Sequence, residues 1–289
     1  MHMRDYIIFT DSSADLSEQM SAELGLRVVQ LDVIVEGQSA KPNNVVDICE
    51  FYSQLREKKG ATTAALGMDR FSAVFEGAIQ EGFDVLYLGF SSGLSSTYNA
   101  SAIAARELSE KYPGKKIYAV DTLCASMGQG LLVRHACMMK KRGASIEEVR
   151  DFVEENKLNL CHWFTVDDLF FLKRGGRVST ATAVVGTVLN IKPVLHVNDD
   201  GKLINVSKAR GRRAAIDTMF EKMKATMLPD RNDVIFISHG DCEKDAQYLA
   251  DRAKNELGIK EVVINFIGPV IGAHSGPGTL ALFFLGSER

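Results

Sequence analysis

The stretch IGPVIGAHSGPGTLALFFLG, residues 267–286, sets one imidazole, His274, beside a hydroxyl, Ser275, between two glycine/proline clusters and ahead of an apolar run. A loop histidine is ordinarily solvated surface, so its chemistry depends on what other groups the fold brings to it. Hydroxyl-rich loops recur after apolar β-type runs: TDSS at 10–13, SSGLSST at 91–97, Asp121-Thr122, and HGD at 239–241. In open α/β sheets, ligands gather beyond the carboxyl ends of the strands, which is where these loops fall. SSGLSST also opens a helix, whose free N–H groups and dipole favour an anion. The plainer reading of each loop alone is that Ser and Thr cap helices.

One alternative is covalent catalysis. GFSSG, residues 89–93, matches the G-x-S-x-G nucleophile elbow, and Ser91 with Asp241 and His274 downstream gives the order Ser…Asp…His of a serine hydrolase. Against it, an elbow runs into its helix almost at once, whereas Gly93 and Leu94 intervene here and Ser95 or Ser96 reads as the cap. Phosphate-loop patterns are absent: there is no G-x-x-x-x-G-K-[ST], and no G-x-G-x-x-G follows a strand into a helix. KRGGR (173–177) and KARGRR (208–213) are basic clusters that are solvated by default, or else face an anionic headgroup or a partner protein. His135 falls mid-helix, His162 and His196 fall in strands, and no pair has metal-ligand spacing, so no metal is expected.

The elements that must position these groups alternate throughout. YIIFT (6–10), RVVQLDVIV (27–35), DVLYLGF (84–90) and KIYAVD (116–121) read as strands. Helical spacing runs over 46–58, 69–80, 96–112 and 127–141, and SIEE at 145–148 is a capping box. This βαβ order predicts a mostly parallel sheet covered by helices. Beyond about residue 158 the pattern changes to LCHWFTV (160–166), a basic turn, a small-residue helix over 179–189 and a hairpin over 191–209, with Pro193 at an edge or strand start. Helices over 212–227 and 243–257 then alternate with strands 233–239, 260–267 and the closing TLALFFL. The second half is therefore a mixed sheet.

The 289 residues favour two domains, although one large α/β domain also fits, and 46% hydrophobic with 25% charged residues is ordinary for a soluble protein. A net charge of -3 gives no pull toward nucleic acid. Apolar runs fall short of the ~20 residues that span a bilayer, and no signal peptide opens the chain, so a cytoplasmic protein is expected. The five scattered cysteines form no CxxC pair and read as reduced thiols. A monomer is expected.

Taken together, TDS after the first strand, SSGLSSTY, DLFFLKRGGR, LNIKPVL, KARGR and above all IGPVIGAHSGPGTLAL resemble the DegV family of fatty-acid-binding proteins, over nearly the whole chain. The resemblance implies a two-domain α/β architecture of DegV/dihydroxyacetone-kinase type. An N-terminal mostly parallel α/β/α domain would span 1–158 and a C-terminal mixed-sheet domain 159–289. It implies a carrier without its own cofactor, holding one palmitate-like long-chain fatty acid in a tunnel between the domains. The carboxylate is presented to a separate fatty-acid kinase, and transient membrane contact is compatible with that role. The implied headgroup residues are Thr63 or its neighbour Thr62, a serine of the SSGLSST loop (Ser95, with Ser92 beside it), Arg177 and His274. Arg210 matches a position expected to serve kinase docking or phosphate transfer. The chain departs from the family where TTAAL (62–66) replaces TSQPS, LSST replaces LSGT, and Asp121-Thr122 replaces DS. The first change removes polar groups beside the headgroup. A phosphotransferase related to dihydroxyacetone kinase is the third class, similar in fold but requiring a phospho-donor partner.

Overall fold

The structure, a computed structural model, describes residues 5–179 and 190–289; of the small-residue helix expected over 179–189, all but the first residue lies outside them. Strands β1 (Tyr6–Asp11), β2 (Arg27–Val29), β6 (Asp84–Gly89) and β7 (Ile117–Asp121) form a parallel sheet in the order β2-β1-β6-β7. Every residue of β1 and β6 is buried, as continuous apolar runs covered on both faces require. On one face α3 (Met68–Gln80) and α4 (Thr97–Lys111) pack Phe71, Phe75, Ala104 and Leu108 against Phe9 and Tyr87. On the other, α5 (Ser126–Lys141) and α6 (Ile146–Asn156) place Leu131, Leu132 and Val149 against Ile8, Leu86 and Leu88. The capping box of α6 forms as expected, with Ser145 and Glu148 bonded reciprocally.

A second, mixed sheet of six strands has the order β10-β9-β8-β13-β11-β12. Its members are β8 (Leu160–Thr165), β9 (Ile191–Val197), β10 (Leu203–Arg210), β11 (Val234–His239), β12 (Glu261–Phe266) and β13 (Leu280–Leu285). Only β11 and β12 run parallel; the other neighbours are antiparallel. The expected hairpin is β9-β10. Pro193 lies in an interior strand, but β8 pairs with β9 only at Leu195 and His196, so the proline falls beyond that ladder, near the strand's start. Helices α8 (Arg212–Thr226) and α9 (Glu243–Leu257) cover one face with Ile216, Phe220 and Leu249. The opposite face turns toward α5, so one apolar cluster joins Leu86 and Leu131 to Phe164 and Phe283. The first half of α5 is buried all round, as a helix between two sheets must be. Its Gly128 permits that closeness: a methyl there would lie 2.3 Å from His162 Nε2.

The stretch 27–35, expected as one strand, is two. After β2 the chain leaves the parallel sheet, because Leu31 N donates to Ser12 Oγ (3.0 Å) and Leu31 O accepts Asn43 N (2.9 Å). It then enters an antiparallel sheet β4-β3-β5 formed by β3 (Asp32–Val35), β4 (Lys41–Pro42) and β5 (Ala61–Ala64). With α2 (Ile48–Arg56) this small sheet packs Val33, Phe51 and Tyr52 against Val270 and Ala273 of α10 (Pro269–Ser275). Residues separated by most of the chain thereby become neighbours around one helix.

Candidate functional site

A chamber opens where these layers meet, with about 960 Å³ of space between atoms, its open mouth included. Its walls come from both halves of the chain: Thr63 of β5, the loop 90–96 and the start of α5 on one side, β8, β13, Arg177 and α10 on the other. Phe90, Leu94, Phe164, Leu172, Ile267, Val270, Ala281 and Phe283 make most of it apolar. Among the described residues lining it there is no Asp or Glu, and the one permanently charged side chain is Arg177.

His274 is not in a loop. Pro269 stands at the first position of α10, where a missing N–H costs nothing, and His274 occupies the last turn. Its Nε2 lies 2.8 Å from Thr63 Oγ1. Burial, aided by the charges of Arg177 and Arg174, pulls the imidazole down to about 4, so it is neutral at pH 7. Thr63 sits on β5 opposite Val33, while Thr62 points the other way, exposed, and is absent from the chamber wall.

The DLFFLKRGGR segment forms α7 (Leu169–Arg174), capped by Asp168, whose Oδ1 accepts Phe170 N at 2.8 Å. It ends in a Schellman turn: Gly176 takes φ 73, Gly176 N donates to Lys173 O, and Arg177 N to Leu172 O. That turn sends Arg177 back over the chamber, where its Nε donates to Leu94 O (3.2 Å) and its Nη1 to Gly175 O. No carboxylate pairs with it among the described residues. Burial without a counter-ion holds the guanidinium below its ordinary range. Gly175 admits the imidazole, for a methyl there would lie 2.3 Å from His274 Nδ1.

Ser95 lines the chamber, its Oγ 2.9 Å from Thr97 Oγ1 and accepting Thr97 N at 3.2 Å. Ser92 is exposed beside Asp121 and away from the chamber. Arg210 is exposed at the end of β10, also outside it. Two groups that the sequence shows but gives no place among the headgroup residues also line the chamber. His162 lines the wall with both ring nitrogens on backbone, Nε2 accepting Ala125 N (3.2 Å) and Nδ1 beside Leu160 O (3.0 Å). The Ser275 hydroxyl is buried there with no hydrogen-bond partner among the described residues. Apolar lining residues carry no sequence signal that separates them from core.

The hydrolase triad does not assemble. Ser91 is fully buried and donates to Gly201 O (2.8 Å), and a methyl at Gly93 would lie 2.5 Å from Asp200 O. The Ser-Gly spacing thus serves packing under the β9-β10 turn. Asp241 is an exposed partner of Arg56 at 2.9 Å, and the contact to His274 comes from Thr63. Among the described residues no group of three or more His, Cys, Asp or Glu is placed to hold a metal ion.

A parallel sheet and a mixed sheet lining an apolar chamber that bears a guanidinium, an imidazole and hydroxyls define a two-domain α/β protein. The chain belongs to the DegV family, whose model, described as an uncharacterised protein of the DegV family, matches residues 6–287. It is 44% identical over 289 residues to a DegV domain-containing protein of Clostridium perfringens, covering 99% of both chains. Among solved structures it is similar to a fatty-acid-binding DegV family protein from Thermus thermophilus, with a TM-score of 0.87, 31% identity, and 98% and 100% of the two chains covered. A DegV lipid-binding protein from Thermotoga maritima superposes with a TM-score of 0.85 at 29% identity over 99% of each chain.

Proposed function

We propose that this chain carries one long-chain fatty acid, its tail in the chamber and its carboxylate among Thr63, Ser95, Arg177 and His274. On this reading it presents that carboxylate to a separate fatty-acid kinase and performs no chemistry itself. The observation that carries the reading is the lining: an apolar chamber whose one permanent charge, among the described residues, is an unpaired, half-buried arginine. The structural relatives from Thermus thermophilus and Thermotoga maritima, themselves fatty-acid- and lipid-binding, support it.

The energetics agree. A palmitate-like tail brings about 0.8 kcal/mol per buried methylene, roughly 11 kcal/mol before ordering costs. A buried carboxylate without partners costs several kcal/mol, which the Thr63 hydroxyl, the His274 ring and the Arg177 guanidinium offset. A neutral imidazole and a hydroxyl grip less tightly than a lysine would, which leaves the carboxylate able to accept a phosphoryl group. The domains 1–158 and 159–289 would meet along this chamber, and exposed Arg210 would meet the kinase. The test supplies loaded protein, ATP and a fatty-acid kinase and reads acyl phosphate as its hydroxamate. Arg210→Ala should bind fatty acid like the parent yet lose at least tenfold in turnover; equal turnover removes the partner role of Arg210, and no turnover by the parent removes the kinase reading.

A further inference from the structure

The helix that carries His274 is held at its start from the other side of the molecule. The first N–H groups of any helix have no partner within it. Here Gly268 N, just before α10, donates to Asp15 Oδ1 at 2.9 Å, and Val270 N donates to Asn43 Oδ1 at 2.9 Å. The second oxygen of Asp15 accepts Ser126 Oγ at 2.5 Å, and that hydroxyl also lies 3.0 Å from Ser238 Oγ. The Asp15 carbonyl accepts Asn265 Nδ2 at 2.8 Å. One buried residue thus ties the end of β1's loop to α5, β12 and α10. Asp15 and Ser126 both adopt left-handed backbone, φ 52 and 53, a conformation that side-chain-bearing residues keep when their surroundings enforce it. Gly268 fits nothing larger, for a methyl there would stand 2.6 Å from Asp15 Oδ1.

We propose that Asp15 is a positioning residue for fatty-acid binding: by fixing the start of α10 it sets the His274 ring against Thr63. This rests on His274 being a headgroup donor. α10 is two turns of helix, and at ~1.5 Å of rise per residue a shift at Gly268 reaches His274 undiminished. The ring has little slack at that end, with Thr63 Oγ1 at 2.8 Å on one nitrogen and Gly175 against the other. What α10 requires of residue 15 is a carbonyl-type oxygen, so an amide should serve where an alanine does not.

The experiment titrates cis-parinaric acid, a fluorescent long-chain fatty acid, into the full chain and its Asp15→Ala, Asp15→Asn, His274→Ala and Asp15→Ala/His274→Ala variants. Asp15→Ala and His274→Ala should each weaken binding at least tenfold. The double variant should bind within twofold of His274→Ala alone, because a residue acting through His274 has nothing left to position. Asp15→Asn should stay within threefold of the parent. If Asp15→Ala does not fold, Gly268→Ala breaks the same contact from the other side and should show the same loss, absent when His274 is also replaced. Losses that multiply in the double variant, or Asp15→Ala and Gly268→Ala binding like the parent, overturn the positioning role while leaving the carrier reading intact. A parent that binds no probe overturns both.

Discussion

Burial and two nearby guanidinium groups hold the His274 ring down at about 4, so it offers one N–H at neutral pH. When Nε2 carries that proton, it donates to Thr63 Oγ1 and frees the threonine hydroxyl for a ligand oxygen; the 2.8 Å contact thus relays one donor outward. Arg177 supplies the charge. A hydrogen bond to a charged group contributes about 1.5–3 kcal/mol, so Arg177→Ala should weaken fatty-acid binding about ten- to a hundredfold in a fluorescence titration. Unchanged affinity would place the carboxylate elsewhere. Of the headgroup residues implied by the motifs, Thr63, Ser95, Arg177 and His274 all line the chamber. Thr62 and Ser92 do not, because strand alternation turns Thr62 outward and the tight 91–95 turn leaves Ser92 at the surface. Sequence spacing cannot tell adjacent hydroxyls apart when the backbone that orients them is unseen.

Two short elements present the site, and both are glycine-bounded. α7 must end in a Schellman turn for Arg177 to fold back, and its Gly175 must lack a side chain for His274 to fit. Gly175→Ala should therefore lower fatty-acid affinity at least tenfold although alanine is the better helix former, and parent-like binding would show that the wall is not rigid. The strands and long helices were legible because their apolar runs and 3.6-residue spacing are unbroken, as in β6 and α3. β5 was not, since ATTA offers no apolar alternation, and α10 was not, since PVIGAHS is short and glycine-bearing. The break inside 27–35 depends on Ser12 and Asn43, distant residues that no local pattern reveals.

Across the whole molecule, α5 lies between two sheets, and several histidines are buried in the layers on either side. Burial holds His135, His196 and His274 at about 4, and pushes His162 well below its ordinary value. Unfolding lets each take a proton below its ordinary value near 6.5, so stability is full above that pH and falls as pH drops toward about 4. Asp15 opposes this: burial raises it to about 7, so its contribution is present at low pH and lost as pH rises through 7. Four groups outweigh one, and the melting temperature should fall between pH 6.5 and 4.5; a flat or rising profile would contradict neutral, buried rings. Among the described residues no helix is long and apolar enough to cross a membrane. The chamber, built from residues that read singly as core, was not legible without the fold that leaves it open.

Whether this chamber holds a fatty acid is read by mass spectrometry of the purified chain, first native and then denatured with solvent extraction. A filled chamber gives a native mass above that of the chain by one fatty acid, released on denaturation at about one per chain. A clean chain mass that stays unchanged after incubation with free long-chain fatty acids would contradict it.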